Sequence, residues 1–478
     1  MERLPDNAMV NVIQYLDLTD LFTCRLVCKR IGAVAVHPDV WRDRPGGRRE
    51  WWKECVCPVL RVAPCSDSLN INISDYCGEN KTFCSQLLLA LTRCAARTVA
   101  VSVNVSERGA VALASLFIRR QEELGRLRAV QIELDEEDEN GDDASVLLAT
   151  VASMPDLKRL VVAGITASKP SLVSLYFTSA SLEYFECELR PESASFCALV
   201  IAANANALKE VVLVGKSDSC SKLTSLAPLL AGLPNLRRLR CRMLPGLGVV
   251  ADSASLRELT LDVRPEDQPS ASGAAALLSG ANQLRAVTLD YTLAPCDLDL
   301  GVSLVLALGA SGQSAVESLT FLNSELNDEL PQAQPLLAAL PYLPALRHLQ
   351  VGVLTEALLL GISPASAPAL QTLSVRRPSL DFEWHRYNDR ISDSLDTVTC
   401  CKHHACVHSW LHIDAVNTLL SVNPSLQLLI PTYSYYYCGL LNSCVACRQG
   451  CHPKLRDCKD DQNLKLTQNM LVPRNIPL

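Results

Sequence analysis

The sequence predicts an α/β chain in which a short helical segment precedes a long solenoid of strand–helix repeats. An apolar-x-x-apolar-x-apolar segment recurs through the middle of the chain, and Ala/Leu-rich stretches with helical spacing lie between its copies. Aromatic residues make up only 5% of the 478 residues, whereas 49% are hydrophobic, so the core is mainly aliphatic. This composition favours many small, similar packing layers over one large hydrophobic core.

Short helices are predicted within the first forty residues. Leu4-Pro5 marks the first helix, because proline fixes the backbone and lacks the N–H that a helix interior needs. Asp17 or Thr19 can end that helix and cap the next one. The apolar stripe comprises Met9, Val12, Ile13, Leu16, Cys24, Val27, Cys28 and Ile31, with Pro38 ending a third segment and Trp41 as an anchor. So small a piece cannot bury this stripe alone, and a partner's helices are its natural cover.

The repeated segment has nine clear copies, spaced by about 27 residues on average. Their first apolar positions are Leu157, Leu182, Leu208, Leu236, Leu256, Leu284, Val316, Leu346 and Leu370. The same frame extends less clearly to Ser68, Ala96, Leu127, Leu395 and Leu426, which gives about fourteen units. The end of each segment alternates apolar and polar residues, as in a strand with one buried face. Because no unit buries its own apolar side, neighbouring units must stack.

This pattern resembles the leucine-rich repeat family, in its longer helical subclass, over residues 67–432. The resemblance implies a horseshoe in which parallel strands line a concave face and helices line the convex one. In the turn, the family's Asn or Cys is often replaced by an aliphatic residue such as Ile165, Leu244 or Leu354. Irregular units are therefore expected. The alternative is an ordinary α/β domain whose strands are rich in leucine.

The opening residues resemble the F-box: Leu-Pro, an Ile-x-x-Leu helix, Asp-Leu, Leu-Val-Cys-Lys and then Trp. One departure is Ile31, where the family usually has an aromatic residue. The resemblance implies a three-helix F-box that docks on the Skp-type adaptor of a cullin–RING ubiquitin ligase. The residues that it assigns to adaptor binding are Leu4, Pro5, Ile13, Leu16, Leu21, Leu26, Val27, Cys28, Lys29 and Trp41, and Asp20 also matches. The alternative is a helical cap that only shields the first repeat.

The predicted organisation has four parts: an F-box at 1–45, a linker at 46–66, the repeats at 67–432 and a Cys-rich cap with a mobile tail at 433–478. In a horseshoe, the polar strand positions point into the concavity. The candidate substrate-binding residues there are Arg159, Tyr184, Glu186, Arg238, Arg240, Arg242, Glu258, Thr260, Asp262, His348 and Arg376.

The most distinctive residues of this set are three arginines on one strand, Arg238, Arg240 and Arg242. Together they can hold an acidic or phosphorylated segment. The favoured alternative is that they pair with Glu210, Glu258 and Asp262 on the neighbouring strands.

The Cys-rich end contains one Cys-x-x-Cys followed by a third thiol and a histidine. This spacing suits a tetrahedral zinc, with Cys444, Cys447, Cys451 and His452 as its ligands. Common zinc modules pair two such knuckles, so unligated thiols in an irregular cap are the favoured interpretation. No cofactor is expected. The tail after Lys459 is polar and expected to be mobile.

Composition and motifs exclude several classes of function. The net charge of -7 and the pI near 5.7 disfavour nucleic acid and anionic membranes as partners. The sequence shows no signal peptide, and we expect a cytoplasmic or nuclear protein with reduced thiols. Because it contains no Gly-x-Ser-x-Gly, phosphate-loop or His-Glu-x-x-His motif, we expect a non-catalytic protein. Two functions remain: the substrate receptor of a ubiquitin ligase, with adaptor, cullin and protein substrate as partners, or a repeat scaffold without ubiquitin transfer.

Overall fold

The computed structural model describes residues 4–42, 62–73, 92–104, 109–135, 144–165, 181–215, 226–264, 268–291, 301–310, 312–323, 333–378, 413–431 and 469–471. The chain divides into two compact units, Met1–Ser219 and Cys220–Leu478. Each unit combines parallel strands with helices, so the predicted α/β class is confirmed for both.

The first unit opens with four helices within the described residues, where the sequence predicted three. They are α1 (Asp6–Ile13), α2 (Leu18–Val27), α3 (Lys29–Ala35) and α4 (Pro38–Trp41). Of the two caps predicted for α2, Asp17 is the one that forms, since its carboxylate accepts a hydrogen bond from the Asp20 N–H at 2.7 Å. Pro38 begins α4 instead of ending α3, because the first helical position needs no N–H.

Six parallel strands follow in the part of the first unit that the structure describes, and each strand after the first pairs with the one before it in sequence. They are β1 (Cys65–Asn72), β2 (Ala95–Asn104), β3 (Ala129–Asp135), β4 (Arg159–Ala163), β5 (Tyr184–Glu188) and β6 (Glu210–Val214). Helices Ala110–Glu123, Ser145–Ala152 and Ala194–Ala203 lie between strands along the chain. Parallel neighbours need such long connections, because a tight hairpin joins only antiparallel strands.

The described residues of the second unit form seven parallel strands and a last antiparallel one. Its strands are β7 (Arg238–Arg242), β8 (Glu258–Asp262), β9 (Ala286–Tyr291), β10 (Ser318–Asn323), β11 (His348–Leu354), β12 (Thr372–Pro378), β13 (Gln427–Pro431) and β14 (Asn469–Leu471). Its α-helices are Leu226–Ala231, Gln268–Gly280, Val302–Ala310, Ala333–Ala339, Glu356–Gly361 and Asp414–Val422, with 3-10 helices at Leu247–Asp252 and Leu340–Tyr342. Both units therefore have the character of a solenoid-like repeat.

The nine clear repeat segments all contain a strand that begins two residues after the first apolar position. Burial alternates along these strands. In β5, Tyr184, Glu186 and Glu188 are half-buried, whereas Phe185 and Cys187 are fully buried. The inward aliphatic side chains and the apolar faces of the helices form the core of each unit.

Buried amide side chains support the backbone of neighbouring repeats. Gln121 accepts a hydrogen bond from the Ala96 N–H at 2.9 Å and donates one to the Cys94 carbonyl at 3.0 Å. Asn204 accepts one from the Leu182 N–H at 3.3 Å. Gln121 lies in the helix Ala110–Glu123 and Asn204 caps the end of the helix Ala194–Ala203, so both amides provide support that an aliphatic turn residue cannot give.

The repeat predicted at Leu395 falls within residues 379–412, which lie outside the described residues. Among the described strands, β13 pairs directly with β12. Leu428 and Ile430 of β13 fill the inward positions and are almost fully buried.

The repeat frame shifts in its first and last copies. Ser66, not Ser68, pairs with Ala96, and this shift of two residues keeps the same face inward. β13 begins one residue after Leu426 instead of two, so the turn before it is shorter.

The C-terminal tail is not wholly mobile. β14 pairs antiparallel with β13, with Leu471 opposite Leu429. This short strand covers backbone groups of β13 that would otherwise form an open edge.

None of the described helices is long and apolar enough to span a membrane. Seven cysteines lie within the described residues, and none of them forms a disulfide. Five of the seven are buried, as expected for thiols that pack like small hydrophobic side chains.

Candidate functional sites on the helices and the sheets

The interior of the N-terminal helices contains three of the residues that the motif assigned to adaptor binding. Ile13, Leu21 and Trp41 are at most 5% exposed. The Trp41 indole N–H donates to the Ala35 carbonyl at 2.7 Å, and its ring meets Phe22 edge-on at 6.3 Å between centroids. These three side chains hold the helices together and offer no surface to a partner in this structure.

Apolar side chains are exposed where α2 ends. Leu26 is 86% exposed and Val27 is 63% exposed. Both belong to the predicted adaptor-binding set, as do the exposed residues Leu4, Pro5, Cys28 and Lys29, while Leu16 is half-buried. We call Leu26 and Val27, with Cys28 and Lys29 that follow them, the α2 terminus.

The exposure of the α2 terminus has a local cause in the backbone. Cys28 is extended, with φ of -161°, so α2 ends there and the predicted continuous stripe is interrupted. The Cys28 thiol accepts a hydrogen bond from the Ile31 N–H at 3.4 Å and thereby caps α3. Arg30 ties α3 to the N-terminus, because its guanidinium bonds the Asp6 carboxylate at 2.7 Å and the Leu4 carbonyl.

Two further apolar residues of this segment are exposed. Val12 belongs to the predicted apolar stripe of α1 and is 51% exposed. Tyr15 is 82% exposed and was not part of the motif. A large aromatic residue two positions after the end of α1 was the available signal for Tyr15.

The opposite side of this helical segment packs on the sheet of the same unit. α4 contacts β1, and the Cys65 thiol donates to the Pro38 carbonyl at 3.4 Å. Val40 and Trp41 of α4 are buried. The segment thus has one side in contact with the first repeat strand and the α2 terminus in solvent.

Arg159, Tyr184 and Glu186 form a polar cluster on β4 and β5. The Arg159 guanidinium lies over the Tyr184 ring, 3.6 Å from its centroid, and its Nη2 is 3.9 Å from Glu186 Oε2. The Tyr184 hydroxyl donates to the same carboxylate. Burial and this hydrogen bond raise the pKa of Tyr184 to about 12, so the phenol stays protonated at neutral pH. The structure therefore brings three predicted substrate-binding residues together.

The three arginines of β7 have different surroundings. Arg238 and Arg240 are exposed, but Arg242 is fully buried, so its prediction as a residue of the open face is wrong. Arg240 bridges two acids: its Nε is 3.3 Å from Asp262 Oδ1, and its Nη2 is 3.0 Å from Asp290 Oδ2. Arg240 therefore pairs with Asp262, as the alternative interpretation states, and also with Asp290 on β9, which that interpretation did not name.

The two acids that Arg240 contacts are buried. Asp262 and Asp290 are each 6% exposed. Burial raises the pKa of Asp262, the nearby Asp290 adds to this increase, and Arg240 opposes it. This group of charges is a stable part of the unit rather than an open binding site.

The other predicted residues of the second unit lie on the polar face of its strands. Glu258 and His348 are exposed, and Thr260 is half-buried. The side chain of Arg376 and the residues Cys444, Cys447, Cys451 and His452 lie outside the described residues. Within the part of the chain that the structure describes, no group of three His, Cys, Asp or Glu residues can hold a metal ion.

Comparison with protein-family models identifies an F-box-like domain at residues 1–44. The match covers α1–α4 and confirms the F-box part of the resemblance. A search of the curated proteins found no match. The chain thus combines an F-box-like domain with solenoid-like α/β repeats.

Proposed function

We propose that this protein is a substrate receptor of a cullin–RING ubiquitin ligase. The F-box-like domain docks on a Skp-type adaptor, and the repeats, which we assign to the leucine-rich class, hold the protein substrate. The single observation that carries the proposal is the exposed α2 terminus within a matched F-box-like domain.

Adaptor binding through the α2 terminus agrees with its physical chemistry. An isolated Leu with 86% of its surface in water gains free energy when a partner covers it. Full burial of a Leu or Val side chain contributes about 1.5–3 kcal/mol. Adjacent Cys28 and Lys29 supply a polar rim of the kind that surrounds apolar contacts in interfaces.

The receptor itself performs no bond chemistry in this proposal. It holds a substrate near a ubiquitin-charged enzyme and so raises the effective concentration at substrate lysines. Polar residues on the strands, such as the Arg159–Tyr184–Glu186 cluster, supply directional contacts on a rigid element. A cytoplasmic or nuclear location is part of the same proposal.

Co-purification of the full chain with a Skp-type adaptor and cullin tests this function. The variants Leu26→Asp and Val27→Asp place a charge in the apolar contact and should each abolish co-purification. Both side chains are exposed, so the fold should not change. Leu116→Asp is the matched control, because Leu116 is 60% exposed on the helix Ala110–Glu123, outside the F-box-like domain.

The alternative function is a repeat scaffold without ubiquitin transfer, and the packing of α4 on β1 favours it. In that case the helices serve as a cap, and wild type should not retain the adaptor. Loss of adaptor by the Leu116 control as well would also contradict the receptor proposal, because the effect would not be specific to the α2 terminus.

A further inference from the structure

A column of basic residues precedes the strands of the second unit. Arg237, Arg257, Arg285 and Arg347 each stand directly before a strand, namely β7, β8, β9 and β11. All four are exposed. We call them the arginine ridge. Glu317 occupies the same position before β10.

The backbone places the ridge residues side by side. The Arg257 N–H donates to the Arg237 carbonyl at 2.9 Å, and the Arg285 N–H donates to the Arg257 carbonyl at 2.7 Å. In the same way, the Glu317 N–H donates to the Arg285 carbonyl and the Arg347 N–H donates to the Glu317 carbonyl, both at 2.8 Å. The ridge therefore follows the hydrogen-bond direction of the sheet, where strands lie about 4.8 Å apart.

Side chains at this position can contact one another across the ladder. In the first unit, Glu183 lies between two lysines, 3.4 Å from Lys158 Nζ and 2.6 Å from Lys209 Nζ. In the second unit, Arg285 Nη1 is 2.9 Å from Glu317 Oε1. Opposite charges at this position can therefore pair, as Glu183 does with two lysines and Glu317 does with Arg285.

The ridge departs from this pairing because three arginines follow one another. Like charges on neighbouring strands are destabilising, so the succession of Arg237, Arg257 and Arg285 does not stabilise the fold through contacts among the three. Of the three, Arg285 pairs with Glu317. Among the described residues, the side chains of Arg237 and Arg347 have no ion-pair or hydrogen-bond partner. The Arg257 guanidinium bonds only the carbonyls of Ala254 and Leu256, which orient it without neutralising its charge.

We propose that the arginine ridge binds an acidic, Asp/Glu-rich segment of the protein substrate, an inference that rests on the proposed receptor function. A guanidinium presents parallel N–H donors that match a carboxylate, and several in a row select for several acids. The four strand spacings from Arg237 to Arg347 amount to about 19 Å, which about six extended residues span.

Charge distribution favours a protein partner over nucleic acid. Glu258 and Glu317 lie beside or within the ridge, and they would repel a continuous phosphate backbone. The chain as a whole has a net charge of -7. A flexible acidic peptide can turn some of its carboxylates away from these two acids and others towards the arginines, whereas the spacing of the phosphates along a nucleic acid is fixed.

Fluorescence anisotropy of a labelled poly-L-glutamate peptide with the full-length chain tests the ridge. Wild type should bind the peptide, and added salt should weaken binding. The double variant Arg237→Gln/Arg347→Gln should bind at least about tenfold more weakly, since it removes two charge-assisted contacts. The matched control is Lys158→Gln/Lys209→Gln, which removes two paired cations and should change affinity less than about twofold.

Three results would overturn the proposal: no binding by wild type at low salt, equal losses in the two double variants, or tighter ridge-dependent binding of single-stranded DNA. The ridge substitutions at Arg237 and Arg347 affect exposed side chains, so a folding defect does not explain a loss of peptide binding. Ridge variants should still co-purify with the adaptor, and Leu26→Asp should still bind poly-L-glutamate. Failure of the ridge proposal and failure of the receptor proposal are therefore distinguishable.

Discussion

Arg240→Met tests how strongly the buried acids of the second unit depend on a neighbouring cation. Methionine keeps most of the aliphatic stem but removes the contacts to Asp262 and Asp290, at 3.3 and 3.0 Å. Both carboxylates then remain buried with one positive charge fewer. The substitution should lower the free energy of unfolding.

The size of this loss follows from the burial of each partner. Removing one partner of a fully buried pair costs about 3–5 kcal/mol. The Arg240 side chain is 45% exposed, so solvent already screens its interaction, and we expect a loss of about 2 kcal/mol. For a domain of this size, the melting temperature should fall by about 4–8 °C.

The loss should depend on pH in a defined direction. An Asp whose pKa is higher in the folded state destabilises the fold when ionised, and protonation relieves this as the pH falls through the folded-state pKa. Burial already raises the pKa of Asp262, and Arg240 opposes that increase. The variant should raise the pKa of Asp262 further, so its deficit should shrink from neutral pH towards about pH 4.

Urea unfolding at neutral and mildly acidic pH measures both effects. Arg347→Met is the matched control and should change stability by less than about 0.5 kcal/mol, since its side chain is exposed. Arg240→Met/Asp262→Asn should recover part of the loss, because it also removes a buried charge. An Arg240→Met variant as stable as wild type, or equally deficient at both pH values, would refute the reasoning.

Three further predictions concern stability. Trp41→Ala removes a fully buried ring and should lower the free energy of unfolding by about 3–5 kcal/mol. Limited proteolysis should then cut α1–α4 earlier than in wild type, and a protease-resistant variant would contradict the assigned core. Gly164→Ala should lower the free energy of unfolding, followed by thermal melting, by more than about 2 kcal/mol. The reason is that Gly164 has a φ of +77° and that a Cβ would lie 1.8 Å from the Leu134 carbonyl oxygen. Gly125→Ala, with φ of +78° but open space, should cost about 1 kcal/mol, so equal losses would disprove the steric argument. Asn204→Ala should lower the free energy of unfolding in urea by about 1–3 kcal/mol, because the buried Leu182 N–H loses its acceptor. An unchanged stability would show that water replaces the Asn204 amide as the acceptor.

The repeat frame was predictable because each strand has a single buried face. Leucine stands at the first apolar position of eight of the nine clear strands, with Val316 at the ninth, and alternation then gives the inward side chains. The direct pairing of β13 with β12 was not predictable from this local pattern. Strand pairing depends on which neighbour buries more apolar surface, and a local pattern does not contain that comparison.

How far the side chains on the polar face of each strand are buried was not predictable from the sequence. Alternation states which side of a strand Arg242 occupies, but not whether other parts of the unit cover that end of the strand. Asp262 and Asp290 stand in register with Arg242 and are buried like it. The arginine ridge was missed for a related reason, since its residues precede the alternating part of each segment.

The F-box motif located the N-terminal domain but did not separate inward from outward residues. Leu21 and Leu26 belong to one motif and one helix, yet the first is buried and the second is in solvent. The two residues are five positions apart in α2, so their side chains point about 140° apart around the helix axis. A family pattern records the positions of apolar residues and not the surface that each one contacts.

Amide hydrogen exchange of the full chain, with and without a purified Skp-type adaptor, tests the central claim most directly. We predict slower exchange at the end of α2 and the start of α3 when the adaptor is present, and unchanged exchange in β7–β9. Protection of the α2 terminus would place the adaptor on the exposed residues Leu26 and Val27. Unchanged exchange in α2 and α3 at saturating adaptor would contradict the receptor function.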